Sequence, residues 1–575
     1  MEVCHLKKTF FILITILLIL VIGAGVYLKI RADNANTESE ANSNNFTLLP
    51  TAALLPTQAP LLIEAPLPTT TVAPVMNSEL FPAYQIISDE IKYGYIDETG
   101  VFVIPPTYDV ASDFNDGVAI VLINNKSCAI DTDGNVLFMS DTIEDFHNGM
   151  SVFTNYNNDE AIHGYIDTTG KVIIEPQYIL ASNFKEDNTA YVSTGSGKYA
   201  QIDKSGTILE SFELDSKYDN AWKFDDGYLI FNDSENNKFG VVNVKGEIIF
   251  EPIYSDISYL GHDLFAVKKP DFEYYFEIML APAAIYNQKG EQVTDYSLYD
   301  LSAYYGDYSS ATDNTSTYFV GLDGKELTTL PKFEGRGTVK LFGDVIKADI
   351  DNALIYSRTD GSILWQSDHS YTFDNGIIVS EEKFKPNKYV SVHFPQIEGL
   401  TDAEVQLTMN NELRKIFTES RAALAEDDTL SVEDSFKADL INNLLLVERS
   451  GYDYPFGAAH GMPLRDYYYI DIRTGVFYEF SDLFKEDSDY ITKINDLIRT
   501  EIKIQNENED SMIFPESFVG ISEKPCFILS EDAITMYFYP YDIAAYAAGF
   551  PEFVIPFEDI SECIDKKGKF WSSFH

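Results

Sequence analysis

Apolar and polar positions fall into three regimes along the chain. Phe10 to Leu28 reads FFILITILLILVIGAGVYL without a charge, close to the roughly 20 apolar residues that carry a helix across hydrocarbon. From about Tyr84 to Trp365, short β-prone runs of Val, Ile, Tyr and Phe alternate with Asp, Asn and Gly turns. Beyond Ile377 the apolar spacing widens. Val405, Met409, Leu413, Ile416 and Phe417 recur at helical period, as do Ile491, Ile494, Ile498 and Ile502.

The middle regime repeats itself. YGYIDETGVFVIPPTYD begins at Tyr93, HGYIDTTGKVIIEPQYI at His163 and FGVVNVKGEIIFEPIYS at Phe239. Weaker copies begin at Lys126, Lys198, Ala283, Tyr318 and Leu354. Their turn glycines are Gly100, Gly134, Gly170, Gly206, Gly246, Gly290, Gly324 and Gly361, a period of roughly 37 residues that marks a repeat architecture. Within a unit, Tyr95-Ile96 and Val101 to Ile104 are strands, and Asp97-Glu98-Thr99-Gly100 is the hairpin turn between them. The Asp side chain caps the turn amides and the Gly takes a positive φ. Pro105, Pro176 and Pro252 are expected to stop the second strand. One such sheet cannot bury its own face, so neighbours must stack, as propeller blades or as a β-solenoid.

These units resemble the WG repeat family of bacterial proteins over roughly residues 84 to 375, most closely from Gly164 to Tyr178. The Trp-Gly pair that names the family is replaced by Tyr93-Gly94, His163-Gly164 and Phe239-Gly240. The resemblance implies a non-catalytic interaction scaffold.

The third regime reads as an α+β domain over 385–565. Thr401 and Glu404 have capping-box spacing ahead of the first helix, and a second helix spans about Asp489 to Lys503. Leu444 to Glu448, Tyr467 to Ile472, Cys526 to Leu529, Ile534 to Phe538 and Phe553 to Ile555 read as strands, with a hairpin turn at Thr474-Gly475. The carrying motifs are FPQIEGL from Phe394, Asn410-Asn411, FGAAHGMP from Phe456, DLF from Asp482 and FYPYDIAAYAAGFPEFVIPF from Phe538. On these the segment resembles a family that includes the extracellular domain of the lysozyme-responsive anti-sigma factor RsiV and the accessory domain beside some peptidoglycan deacetylases. Ala458 stands where that family usually has a second Gly. The roughly nine residues before the apolar run are too short for a sigma-binding domain, so the resemblance implies no anti-sigma function.

Charge narrows the partners. Lys plus Arg number 41 and Asp plus Glu 91, a net charge of −50, which repels phosphate backbones and excludes nucleic acid as the partner. Residues 33–80 have no Lys or Arg and six prolines, the composition of a stiffened, disordered spacer. Together with residues 1–32 they read as a short inside tail, an uncleaved signal-anchor and a linker, with the bulk of the chain extracytoplasmic. Lys7 and Lys8 on one side and Lys29 and Arg31 on the other balance, so charge does not orient the helix.

Candidate chemistry is sparse. The eight histidines are scattered, with no His-x-x-x-His or His-Glu-x-x-His pair, and there is no Gly-x-Ser-x-Gly elbow. Gly195-Ser196-Gly197-Lys198 lacks the rest of a phosphate loop and reads as a turn. The acidic turn Asp131 to Gly134 reads as turn capping rather than a calcium site. Cys526 and Cys563 are free to pair or to remain buried thiols. His460 stands out in the loop Gly457 to Gly461, flanked by Tyr452, Tyr454 and Tyr467. Its imidazole either contacts a ligand or satisfies backbone groups of the loop. The loop Phe456 to Met462 is expected to meet the segment Tyr537 to Phe550, with His460, Gly457, Gly461, Tyr541 and Tyr546 as binding residues. No catalytic residue, metal or cofactor is assigned. The expected function is a membrane-anchored, extracytoplasmic binding or sensing protein that engages cell-wall glycan or an extracellular protein. A wall-modifying hydrolase, or its accessory subunit, is the alternative.

Overall fold

The computed structural model describes residues 79–575 except 88–89, 141, 158–159, 196, 216–217, 219–220, 234, 270–280, 428 and 508–510. The expected membrane helix at Phe10 to Leu28, Cys4 and nearly all of the linker lie outside the described residues. Among those described, no helix is long and apolar enough to cross a membrane.

Eight small antiparallel sheets follow one another at 81–108, 110–139, 150–178, 180–213, 221–254, 256–287, 309–334 and 337–366. Seven of them hold one of the eight turn glycines and the eighth, Gly290, directly follows the last strand of the sixth sheet; all eight are at positive φ. The turn chemistry is as the sequence predicts. Asp97 accepts from the Thr99 and Val101 amides at 2.8 and 3.2 Å, and Asp131 accepts from those of Asp133 and Asn135 at 3.0 and 2.8 Å.

The sheets stack in order and close on themselves. Tyr95 and Ile104 of the first pack on Val121 and Cys128 of the second. Phe250 of the fifth packs on Phe265 and Val267 of the sixth. Val345, Leu354 and Tyr356 of the eighth pack on Phe81, Ala83 and Ile96 of the first, and the Tyr356 hydroxyl donates to the Pro82 carbonyl at 2.7 Å. The last sheet therefore packs against the first, and neither is a free end of the array. The Tyr of the GYID motif joins neighbours: buried Tyr95 and Tyr165 donate to the carbonyls of Ser112 and Ser182 at 3.0 and 2.8 Å.

The prolines correct the sequence reading. Pro105, Pro176 and Pro252 lie inside the strands Phe102–Tyr108, Val172–Tyr178 and Ile248–Tyr254. Tyr95 faces Ile104 and Tyr93 faces Tyr108, so Gly94 alone opposes three residues of a bulge. A bulge leaves backbone groups unpaired, and there a residue without an N–H is harmless. The same bulge recurs opposite Gly164 and Gly240. It explains the aromatic-Gly pair. A Cβ on Gly94 would lie 2.3 Å from the Ile104 carbonyl oxygen, and one on Gly164 2.5 Å from that of Ile174.

Contact between sheets also falls on the turns. Gly170 has φ +80°, and a Cβ there would stand 2.5 Å from the Phe138 ring of the preceding sheet. Gly170→Val is expected to cost about 2 kcal/mol or more, from strain and clash together. An unchanged melting midpoint would contradict that turn.

The C-terminal domain is a seven-stranded sheet with a helix-covered face on each side. Val390–Glu398 and Leu430–Ile441 pair in parallel, and the helix Ala403–Ala422 makes the crossover between them. The other pairs are antiparallel. Alternation along Leu444–Pro455 divides the core: Leu445 and Val447 pack under Ala403–Ala422, while Leu444 and Leu446 face the helix Tyr490–Gln505 and a three-stranded sheet at 527–556. Phe570 and Phe574 fill the same second core.

Two local expectations change, and the state of two cysteines, open in the sequence, is fixed. The first helix is capped by Asp402, which accepts from the Glu404 and Val405 amides at 2.9 and 3.2 Å, rather than by Thr401. On the second helix, Ile494, Ile498 and Ile502 are buried, but Ile491, in the first turn, is 40% exposed. Cys526 and Cys563 are thiols and not a disulfide.

The ring meets the C-terminal domain through charge. Lys385 pairs with Asp351 in a nearly buried contact. Glu381 lies 2.9 Å from Nδ1 of His393 and 3.6 Å from Nδ1 of His369, and the Nε2 of His369 is 2.8 Å from the Tyr84 hydroxyl in the first sheet. Burial pushes the Glu381 carboxyl up, but the two imidazoles outweigh it and hold it at about 2.

Candidate functional site: the His460 and Tyr541 loop pair

The strands Leu444–Pro455 and Met462–Asp471 are antiparallel neighbours in register from Leu444↔Asp471 to Asp453↔Met462. The loop Phe456 to Gly461 joins them at one end of the sheet. Gly457 has φ +85°, and the Ala458 amide donates to the Pro455 carbonyl at 3.0 Å, which turns the chain. Tyr454 donates to the Ala458 carbonyl at 3.1 Å, and Tyr452 accepts from the Gly461 amide at 2.7 Å. A Cβ on Gly461 would lie 2.4 Å from the Asp453 carbonyl oxygen and 2.6 Å from the Tyr452 ring, so only glycine permits this approach.

The second element is the long connection between the strands Ala533–Tyr537 and Glu552–Pro556. Two phenols dock its start. Tyr537 and Tyr539 donate to the Arg465 carbonyl at 2.6 and 2.9 Å, and the Arg465 amide donates back to the Tyr539 hydroxyl at 3.0 Å. The edge of the large sheet is thereby paired through side chains.

The two elements meet at His460. Its Nδ1 lies 2.9 Å from the Gly461 carbonyl and its Nε2 2.9 Å from the Tyr541 hydroxyl. A carbonyl only accepts, so Nδ1 carries a proton, and in the neutral ring Nε2 accepts from Tyr541. The imidazole stacks on Tyr546 at 3.9 Å between centroids and 26° between planes. The Tyr546 and Tyr452 hydroxyls are 3.4 Å apart. Four of the five sequence-derived site residues (His460, Gly461, Tyr541 and Tyr546) thus meet directly, and Gly457 shapes the same loop.

Tyr541 is the residue the sequence did not single out for its backbone. Its φ is +75°, a left-handed conformation that costs an aromatic residue on the order of 1–2 kcal/mol. Tyr541 is 58% exposed and Tyr452 40%. Exposed Met462, Met512 and Phe514 belong to neighbouring segments: Met462 opens the strand after the loop, and the Met512 carbonyl accepts from the Ala545 amide. The arrangement offers rigid aromatic faces, phenol hydroxyls and an imidazole. Among the described residues, no group of three or more His, Cys, Asp or Glu is placed to hold a metal ion.

The fold is an array of eight small antiparallel β-repeat sheets followed by an α+β domain. Residues 93–126, 164–199 and 239–269 match the WG containing repeat, and residues 481–558 match DUF3298, a family described as of unknown function. The chain therefore carries WG repeats and a DUF3298 domain. Tyr541 and Tyr546 lie within the second match, and His460 lies before it. Among solved structures, a DUF3298 family member from Bacteroides fragilis is 19% identical, with a TM-score of 0.26, over 34% of this chain and 94% of that one. One from Pseudomonas aeruginosa is 15% identical, with a TM-score of 0.26, over 33% and 93%. BamB from Moraxella catarrhalis is 12% identical, with a TM-score of 0.27, over 49% and 94%. No curated protein matches significantly.

Proposed function

We infer that this chain is a binding or sensing protein of the cell envelope. The apolar run Phe10 to Leu28 holds it in the membrane, and the remainder lies outside the cytoplasm. It engages cell-wall glycan or an extracellular protein, with the His460 and Tyr541 loop pair as the main contact surface of its C-terminal domain. The observation that carries this reading is Tyr541: an aromatic residue in a strained backbone conformation, with its ring largely exposed and its hydroxyl fixed by His460. Strain of this kind persists where surrounding structure enforces it, and such positions cluster at functional sites. Amphipathic tyrosines are also the residues enriched in interface cores. The resemblance of the domain to RsiV-type extracellular domains supports a sensing role.

The test has two arms. Protease added to spheroplasts should remove the bulk of the chain, and complete protection in an opened envelope would refute the topology. Purified wall glycan and a secreted-protein fraction, presented separately to the full chain in detergent, should show which is captured. Capture unchanged by Tyr541→Ala would refute the assignment of the surface.

A further inference from the structure

A separate cleft of about 610 Å3 opens in the C-terminal domain, a volume within the range of small-ligand sites. It lies where the strand Val476–Tyr478 ends, having paired only with Tyr469 to Asp471. Tyr467, Tyr468, Phe477 and Tyr478 line it, each ring partly exposed. Its charged groups are Glu412, Asp466, Glu479 and Lys524. Lys524 already pairs with Glu479 at 2.7 Å, so two carboxylates remain without a cation from the lining.

Asp466 is the more telling of the two. It is half-buried, and the Tyr539 hydroxyl, whose single proton it shares with the closer Arg465 carbonyl, lies 3.2 Å from one of its oxygens. Burial, its largest influence, pushes the carboxyl up, and the Tyr539 hydrogen bond and the charge of Arg449 only partly oppose it. The guanidiniums nearby are committed elsewhere. Arg449 holds Asp434 and the Ile416 and Phe417 carbonyls, and Arg465 holds Glu552 at 2.6 Å. A carboxylate set among aromatic faces and lacking an ion pair matches an organic cation. The acid provides the counter-charge and the rings provide cation–π faces. A neutral sugar would use the rings but not the charge.

The geometry points to a site for a primary alkylammonium group of the lysine type, with the ammonium against Asp466 and its methylene stem along the Tyr468 and Phe477 rings, which lie on the same side of the sheet as Asp466. An aliphatic stem packs on such rings while its charged head stays polar-solvated. This goes beyond the proposed envelope function and stands or falls separately, because its probe is a small molecule rather than wall material or a protein.

Saturation-transfer NMR on the full chain in detergent at neutral pH reads weak binding directly. Nα-acetyl-lysine methylamide should give transfer to its side-chain methylenes. Acetylating the ε-amine should reduce the apparent affinity at least tenfold, and Asp466→Asn should do the same. The asparagine keeps the shape and can still accept from Tyr539, so its melting midpoint should hold. If that variant does not fold, Glu412→Gln, on an exposed helix face, is expected to weaken binding several-fold. Equal binding of the amine and its acetylated form would overturn the proposal, as would no transfer at all. Preferential binding of N-acetylglucosamine oligomers, insensitive to Asp466→Asn, would replace it with a neutral saccharide site.

Discussion

Asp434→Ala is expected to destabilise the C-terminal domain by about 3–5 kcal/mol, the usual cost of removing one partner from a buried ion pair. The Asp434 carboxylate has no exposed surface and serves two buried guanidiniums. Arg421 reaches it with Nε and Nη2 at 2.9 and 3.0 Å, and Arg449 with Nη2 at 2.5 Å. Arg421 continues to Asp453 with two bonds of 2.8 Å. The network ties the last turn of the helix Ala403–Ala422 to both strands of the long hairpin. Asp434 passes so close to Gly451 that a Cβ there would lie 2.3 Å from its Oδ1. Without Asp434, Arg449 loses its charge partner, and its Nε already has no hydrogen bond. Denaturant unfolding checks the value. A loss below about 1 kcal/mol would mean that water reaches the site. Replacing Asp434, Arg421 and Arg449 together by apolar residues of similar volume should recover much of the loss.

Gly164→Ala is expected to cost on the order of 3 kcal/mol, from overpacking alone. Its backbone is not in the left-handed region, so alanine meets no torsional penalty there. The new Cβ would meet the Ile174 carbonyl oxygen at 2.5 Å, the Pro176 nitrogen at 2.8 Å and the Phe153 ring at 2.9 Å. Two of these are backbone atoms of the bulge and cannot turn aside. Gly117→Ala is the matched contrast: its φ is +78° but nothing lies within 4 Å, so only the torsional cost of about 1 kcal/mol remains. Melting curves for the two variants separate steric from conformational roles of glycine. Equal small shifts would contradict the bulge geometry.

These two sites mark how far the sequence reaches. The hairpin turn around each glycine is local chemistry, so all eight units were legible, including the weak copies at Gly324 and Gly361, where Gly321 and Arg358 stand in the place of the turn Asp. The prolines were misread because a strand terminator and a bulge residue look alike until the opposing glycine is known to face them. Closure of the ring was open because it depends on Phe81 and Ala83 meeting Val345 and Tyr356 across most of the array. The Arg421, Asp434, Arg449 and Asp453 network was invisible, since its members come from a helix and two strands with no telling spacing. In the candidate site, Gly457 and Gly461 announced a tight loop. The meeting of His460 with Tyr541 and Tyr546 followed from resemblance rather than from any local rule. The positive φ of Tyr541 had no signal at all, because left-handed residues are usually Gly, Asn or Asp.

The surface assigned to the loop pair is tested most directly by His460→Ala, with capture and melting measured on the same preparation. His460 is partly exposed, and its contacts are a stacked ring, one phenol and a carbonyl of its own loop. The account predicts that capture of wall glycan or secreted protein is lost while the melting midpoint stays nearly unchanged. A fall in stability of several kcal/mol, with normal capture by the protein that remains folded, would contradict it and make His460 a residue that only holds its loop.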